Sequence, residues 1–493
     1  MSEQTLPQHV DVVVVGAGLS GIGAAYRLQT ECPEKTCAVL EARDTLGGTW
    51  DLFRYPGVRS DSDMYTLGYP FRPWTDDRTL ADGPAILDYL RETAQAYGID
   101  RRIAYRSRVL AAAWSTDAAR WTLTVDQGGT RRTVTCRFLY LCAGYYDYEQ
   151  GHAPEFPGVE SFAGTVVHPQ FWSDDLDVTD RRVVVIGSGA TAVTLVPALA
   201  ERAGHVTMLQ RTATWISPVP RRDAVAERLR RVLPRPLAHR AIRAKNIALT
   251  TGFYQFCRRR PQTARRLLTG LASKIIGDAQ LVADHFTPAY DPWDQRLCAI
   301  PGADLFKAVR QGTADVVTDR IETFVPEGIR LASGRVLPAD VVVTATGLRL
   351  RALGGLALQV DGEPVDLSRR FMWRGTMISG VPNLAVCLGY TNASWTLRAD
   401  LTSRLVCKVL KHLDRRGYAA VAPAPDAGLA ERPLLELTSG YVQRSVAAFP
   451  KQGSRDPWRM RQNYLVDAAT LLRTDLDRTL VPVGGRTPAR AAG

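Results

Sequence analysis

The sequence predicts an α/β fold with two Rossmann-like dinucleotide-binding domains and an inserted helical subdomain. Three observations carry that prediction. One β-branched run ends in Gly16-Ala-Gly18-Leu-Ser-Gly21, a second ends in Gly187-Ser-Gly189-Ala-Thr-Ala192, and a strongly basic, proline-marked helical stretch follows the second. The expected division is a first domain over 1–150 and 346–493, a second over 151–215 and 298–345, and the insert over 216–297. At 493 residues the chain is long enough for several separate cores, and its 23% charged residues are ordinary for a globular protein.

Residues 11–15, Asp followed by four valines, suit a buried parallel strand that runs into Gly16 without a gap. A helix is expected over 22–29 and a second strand over 37–41, ending in Glu41. This is a complete β-α-β dinucleotide signature. Gly16, Gly18 and Gly21 let the backbone approach a pyrophosphate, the helix N-terminus faces its charge, and Glu41 accepts from a ribose hydroxyl. Gly47-Gly48-Thr49-Trp50 then suggests a second close backbone approach to the same ligand. Residues 54–63 form an Arg/Asp-rich loop, by itself more often a solvated turn, here beside a cofactor fingerprint.

An amphipathic helix is expected over 81–97, with Ile86, Leu87, Leu90 and Ala94 on one side. Residues 109–125 and 130–141 alternate as an inserted antiparallel meander, after which Gly144 lets the chain pass close to a cofactor. Residues 154–158, rich in Pro and Gly, mark a crossing between domains. Between the fingerprints lie Phe162, Gly164, His168 and Trp172, which by themselves read as a linker with three anchors.

The second signature comprises a strand over 182–186, a helix to 203 and a strand over 205–209. Ala192 replaces the third glycine, which that position tolerates because it serves helix packing. The acid at the strand end is replaced by Gln210-Arg211-Thr212. That change removes the acceptor for a free 2′-hydroxyl and supplies a partner for a 2′-phosphate, so the second nucleotide is expected to be NADPH, with Arg211 and Thr212 as its selectivity pair. Gly187, Gly189, Ala190 and Thr191 are expected to bind it.

Residues 215–289 read as helical, interrupted by Pro234, Pro236 and Pro261, and are expected to shape a substrate cavity. The net charge is +12, and between Arg221 and Lys274 fifteen Lys/Arg stand against only Asp223 and Glu227, so the basicity is local. A solvated helical face is the favoured reading; no nucleic-acid motif accompanies the charge, and contact with an anionic membrane surface stays open. Strands return over 314–318 and 328–331, and 341–347 leads through Thr346 and Gly347 back to the first domain. Residues 389–398 read as a loop into a helix capped by Asn392 or Ser394, whose N-terminus favours negative charge on a bound ring.

Eight scattered cysteines, with no C-x-x-C pair and no His cluster, point to reduced thiols of a cytosolic compartment, to no metal site, and away from dithiol reductase chemistry. Residues 1–10 are polar and lead straight into a strand, so no secretory signal is expected. The apolar run 183–200 is broken by Gly187 and Gly189 and reads as strand plus helix rather than a membrane span.

Two fingerprints in one chain, with Glu41, Arg211 and the Phe162/Gly164/His168/Trp172 stretch, resemble the class B flavin monooxygenases. Trp172 resembles their type I Baeyer-Villiger branch. The strings GGTWDLFRYPGVRSDSDMYTLGY, IGSGATAVTLVPALA, DPWDQRLC, LGYTNASWTL and PKQGSRDPWR look like those of the ethionamide-activating Baeyer-Villiger monooxygenases, and the likeness covers nearly the whole chain. One departure is Ser173-Asp174, where the family usually continues from Trp172 with Pro or Asp.

The resemblance implies FAD on the first fingerprint, with Asp61, Thr346, Gly347 and Asn392 joining the residues already named, and NADPH on the second. It implies that a flavin peroxide inserts one oxygen atom from O2 into ketones to give esters or lactones, with sulfoxidation beside it. Arg296 would stabilise the peroxide anion and the oxyanion formed on attack, and Asp61 would pair with Arg296. His168 falls to the inter-domain linker and a gating role, not to a catalytic base. The expected partners are a small ketone or thioether and O2, without nucleic acid, and no oligomeric state is implied. The alternatives are an N- or S-oxygenase of amines or thioethers without ketone oxidation, and a nucleotide-binding regulator that has lost its chemistry.

Overall fold

The run of valines in His9–Val15 has no polar side chain to offer solvent, and it becomes an inner strand with Val12, Val13 and Val14 wholly buried. It pairs in parallel with Cys37–Leu40 on one side and Thr130–Leu141 on the other. Residues 6–486 are described in this computed structural model; the expectations for residues 1–5 and 487–493 lie outside them. Helix Leu19–Glu31 crosses between the first two strands and packs its buried Ile22, Ala25 and Leu28 against helix Trp395–Arg416.

The meander is more than an appendage. Ser107–Ser115, Arg120–Gln127 and Thr130–Leu141 pair antiparallel in sequence, but the third strand also runs parallel to His9–Val15 and to Leu384–Val386. The reason is burial on both faces. Cys136, Phe138, Leu139, Tyr140 and Leu141 are all buried, the pattern of an inner parallel strand, so the meander is continuous with the nucleotide sheet in one eleven-stranded sheet.

The second sheet has five parallel strands in the order Ala314–Thr318, His205–Gln210, Arg182–Ile186, Val341–Thr344 and Thr165–Val167. Its crossover helix, Ala190–Leu199, stops short of the expected residue 203. The chain must turn back at Gly204, whose amide donates to the Arg181 carbonyl at 3.0 Å and where a Cβ would lie 2.7 Å from the Asp180 carbonyl oxygen.

The insert begins with a strand rather than a helix: Ile216–Val219 pairs in parallel with Cys298–Pro301 and closes its neck. Helices Ala224–Val232, Arg235–Arg259, Pro261–Ile276 and Ala279–His285 follow. The helical run is interrupted at Pro234 and Pro261, as expected, and Pro236 and Pro261 stand in the first turns of the helices that follow, where no proline amide is needed. Helix Arg235–Arg259 buries Ala238 and Ile242 in the first domain's core, while Ala272 and Ile276 of Pro261–Ile276 enter the second domain's core. Much of the local basicity is structural. Arg243 donates to the carbonyls of Tyr65 and Gly68 at the end of helix Met64–Leu67, Arg230 to that of Trp74, and Arg258 and Arg265 pair with Asp294 and Asp291. Among the described residues no helix is long and apolar enough to cross a membrane.

Asn383 ties three strands of the first domain together. Fully buried at φ 46°, it donates to the carbonyls of Arg137 (3.0 Å) and Ala419 (3.1 Å) and accepts from the Val421 amide (3.0 Å). Asn383→Ala strands two carbonyls and an amide in a left-handed position that Ala dislikes, so it should cost about 3 kcal/mol. A fall of several degrees in the first thermal transition, read by circular dichroism, is expected; an unchanged midpoint would contradict this account.

Candidate active site

The two sheets present their glycine turns to one cavity of about 1460 Å3. Its wall carries Gly16, Gly18, Glu41, Gly48, Thr49, Trp50 and Asp61 from the first domain, and Gly187, Gly189, Ala190, Thr191, Arg211 and Thr212 from the second. Thr346, Gly347 and Arg296 complete the residues singled out from sequence that it brings together. Gly21 and Asn392 are not on the wall. Gly21 serves packing, since a Cβ there would lie 1.8 Å from the Gly16 carbonyl oxygen. Asn392 donates to the Gln462 carbonyl at 2.8 Å.

The cradle of the first fingerprint is backbone. Gly16 has φ 102° and abuts Cys142, and a Cβ on Gly48 (φ 56°) would lie 3.1 Å from the Gly18 Cα, so the two loops meet with no side chain between them. Glu41 stands at the strand end, buried, with Oε2 accepting from the Ala17 amide at 2.6 Å and Oε1 from the Arg43 amide at 2.9 Å. Burial raises its pKa against the pull of those amides. Each carboxylate oxygen keeps a further lone pair for a ligand hydroxyl.

In the second fingerprint Gly187 has φ 135°, and a Cβ there would strike the Ala345 carbonyl; beyond Gly189 the space is open. Gln210 faces away from the cavity, its amide donating to the His285 carbonyl at 2.7 Å and to Thr318 Oγ1 at 2.9 Å. Arg211 and Thr212 are exposed at the rim, with Arg320 also on the wall.

Between the cradles lies a two-point ion pair. Arg296 Nε donates to Asp61 Oδ2 at 2.5 Å and Nη2 to Oδ1 at 2.7 Å, while Nη1 reaches the Thr391 carbonyl at 3.3 Å. Burial opposes the Arg296 charge, but Asp61 outweighs it and the pKa rises, so the guanidinium stays charged at any working pH. Tyr145, Tyr146 and Tyr441 share this part of the wall, and burial pushes their phenols up, as it pushes the Cys298 thiol up to about 12. They remain neutral, so the positive charge has no ionised phenol or thiol competing for it. The arrangement can hold an anion against Arg296.

Of residues 216–297 only Gln295 and Arg296 line this cavity, while the insert's helices pack Ala238, Ile242, Ala272 and Ile276 into the two domain cores. One expectation needs correcting. Neither Asn392 nor Ser394 caps helix Trp395–Arg416 through its side chain; Ser394 holds the N-cap position, but its hydroxyl is drawn 2.5 Å from Thr66 Oγ1. Tyr441 and Arg444, from the distant turn of helix Gly440–Gln443, line the cavity and were missed, since no motif marks them.

His168 is off the cavity wall. Its ring lies over Gly151, where a Cβ would come within 2.2 Å of it, and Nδ1 accepts from the Gln170 amide at 3.2 Å. Gln170 in turn donates to the Asp147 carbonyl at 2.9 Å. The stretch thus fastens the edge strand Thr165–Val167 of the second sheet to Tyr146–Gly151, with Phe162 packed on Phe324.

The Flavin-binding monooxygenase-like family model matches residues 9–222. The chain is 51% identical to the FAD-containing monooxygenase EthA of Mycobacterium tuberculosis, covering 96% of this chain and 97% of that protein. It is 48% identical to the putative FAD-containing monooxygenase MymA of the same organism, covering 95% and 96%. An oxidised steroid monooxygenase solved with NADP shares the fold at a TM-score of 0.76 and 24% identity, over 97% of this chain and 100% of that one.

Burial lowers the His168 pKa below 6.5, so the ring is neutral at pH 7. The unfolded chain then takes up its proton first, and stability is lost as the pH falls below about 6.5. The melting midpoint should therefore drop less steeply on acidification in His168→Gln than in the unaltered protein; equal slopes would remove this ring from the account.

Proposed function

Because the chain belongs to the FAD-containing monooxygenases, we propose that it is an NADPH-dependent enzyme that inserts one oxygen atom from O2 into ketones, giving esters or lactones, and that it also oxidises sulfur. The observation that carries this reading is the Asp61-bound Arg296 on the wall of the cavity shared by both fingerprints.

The residues fit the two cofactors. The side-chain-free floor of Gly16, Gly18 and Gly48 suits the FAD pyrophosphate, Glu41 retains acceptor capacity for its ribose, and Thr49, Trp50, Thr346 and Gly347 line the same part of the chain's return. Gly187, Gly189, Ala190 and Thr191 would hold the NADPH pyrophosphate, with Arg211 and Thr212 at its 2′-phosphate. When bound, FAD reduced by NADPH supplies activated oxygen.

Arg296 supplies the rest. Ketone oxidation needs a nucleophilic oxygen, so negative charge develops first on the attacking oxygen and then on the former carbonyl oxygen. A partly buried guanidinium in a cavity holds that charge better than a water-exposed lysine would, and Asp61 fixes its plane without removing its charge. Oxidation of a thioether by an electrophilic oxygen makes no such demand.

Arg296→Ala should therefore lower ester formation by about 10²–10³-fold while flavin reduction by NADPH continues. Unchanged lactone yield would remove Arg296 from the chemistry, and turnover of thioethers alone by the unaltered enzyme would favour an S-oxygenase. Separately, Arg211→Gln should cut the preference for NADPH over NADH by about tenfold or more, read as the ratio of kcat/KM values.

A further inference from the structure

The Arg/Asp loop is bonded to both domains. After the turn closed by the Val58 amide on the Tyr55 carbonyl, Arg59 forms an isolated antiparallel bridge with Asp82. The even positions belong to the first domain: the Val58 carbonyl accepts from Gly83 at 2.7 Å, and the Ser60 amide donates to Ala81 at 3.0 Å. The odd positions meet the other side of the seam. A Cβ on Gly57 would lie 2.7 Å from the Ala198 Cβ and 3.0 Å from the Thr194 carbonyl oxygen, both on helix Ala190–Leu199. Arg59 pairs with Asp304, and Asp61 with Arg296. The backbone of this short tongue is bonded to the first domain while Gly57, Arg59 and Asp61 meet residues across the seam, so one segment grips both sides.

The two ion pairs cross in polarity. The tongue presents a cation at 59 and an anion at 61; the facing segment presents a cation at 296 and an anion at 304. A seam shifted one way would bring Arg59 towards Arg296, and shifted the other way Asp61 towards Asp304, so a single register is electrostatically satisfied. Arg59 reaches Asp304 with Nη1 at 2.5 Å and Nη2 at 3.3 Å, and the side chains are only 12% and 15% exposed. Asp304 is aimed by an uncommon backbone: Gly302 and Ala303 both have positive φ, 61° and 59°, before helix Asp304–Gln311 begins. A left-handed alanine persists only where its surroundings hold it. Its consequence here is the placement of Asp304.

We propose that Arg59 and Asp304 are positioning residues for oxygen transfer, their ion pair keying the seam between the domains so that Asp61 holds Arg296 in place. The inference rests on the monooxygenase reading above. With the key in place, ketone, NADPH, a proton and O2 give ester, NADP and water. With it broken, Arg296 keeps its charge but loses its position, and NADPH, a proton and O2 go to NADP and hydrogen peroxide instead.

The test uses the full-length, FAD-loaded protein with Arg59→Met, Asp304→Asn, the double variant and Arg59→Lys. Product formed per NADPH oxidised should fall about fivefold in each single neutral variant, no further in the double, and return most of the way in Arg59→Lys. In the absence of substrate, hydrogen exchange at the Ser60 amide should quicken about tenfold in the neutral variants, with the strands of both sheets unaffected. An unchanged product ratio, or multiplicative losses in the double variant with Ser60 exchange unaltered, would overturn the proposal. If the enzyme turns over thioethers and not ketones, the same ratio is read on the sulfoxide, so failure of the ketone reading leaves the key testable.

Discussion

Everything at the centre of this molecule depends on keeping one guanidinium charged and still while it is largely withdrawn from water. Arg296 and Asp61 are each 27% exposed, and close two-point geometry offsets the hydration that they do lose. That geometry is present at 2.5 and 2.7 Å, yet the partners are 235 residues apart in the chain and belong to different bodies. The charge can therefore be useful only if the seam between those bodies is held. Gly57 on helix Ala190–Leu199, Arg59 on Asp304 and the His168 ring over Gly151 all lie along it.

The cofactor cradles solve a different problem by the same economy of side chains. Gly16, Gly18, Gly48 and Gly187 leave the turns free of side chains, and three of them do so at positive φ. The first cradle sits at the edge of strands buried on both faces, where neither the turn nor the strand beneath it can shift without disturbing a core. The cavity wall is completed by residues from elsewhere in the chain, such as Tyr441 and Arg444.

The sequence was most legible where function is written into local geometry. Both fingerprints fold as the β-α-β turns their glycines demand, and Gln210-Arg211 at the second strand end departs from Glu41 as clearly in space as in sequence. It was less legible where a residue's partner is remote. Asn392 and Ser394 look like helix caps, but Gln462 and Thr66 draw their side chains elsewhere.

Sequence alone determined the two nucleotide turns, the family and the identity of the charged residues, because each rests on local backbone requirements or on strings that stay together along the chain. The family strings implied the Asp61–Arg296 pair, and tertiary structure alone decided that Arg59 faces Asp304. Arg59 and Asp61 are two residues apart and read as one polar turn, yet both reach across the seam to separate partners, 245 and 235 residues away. No local pattern encodes the Arg59–Asp304 pairing, since it depends on how two separate sheets come to rest against each other.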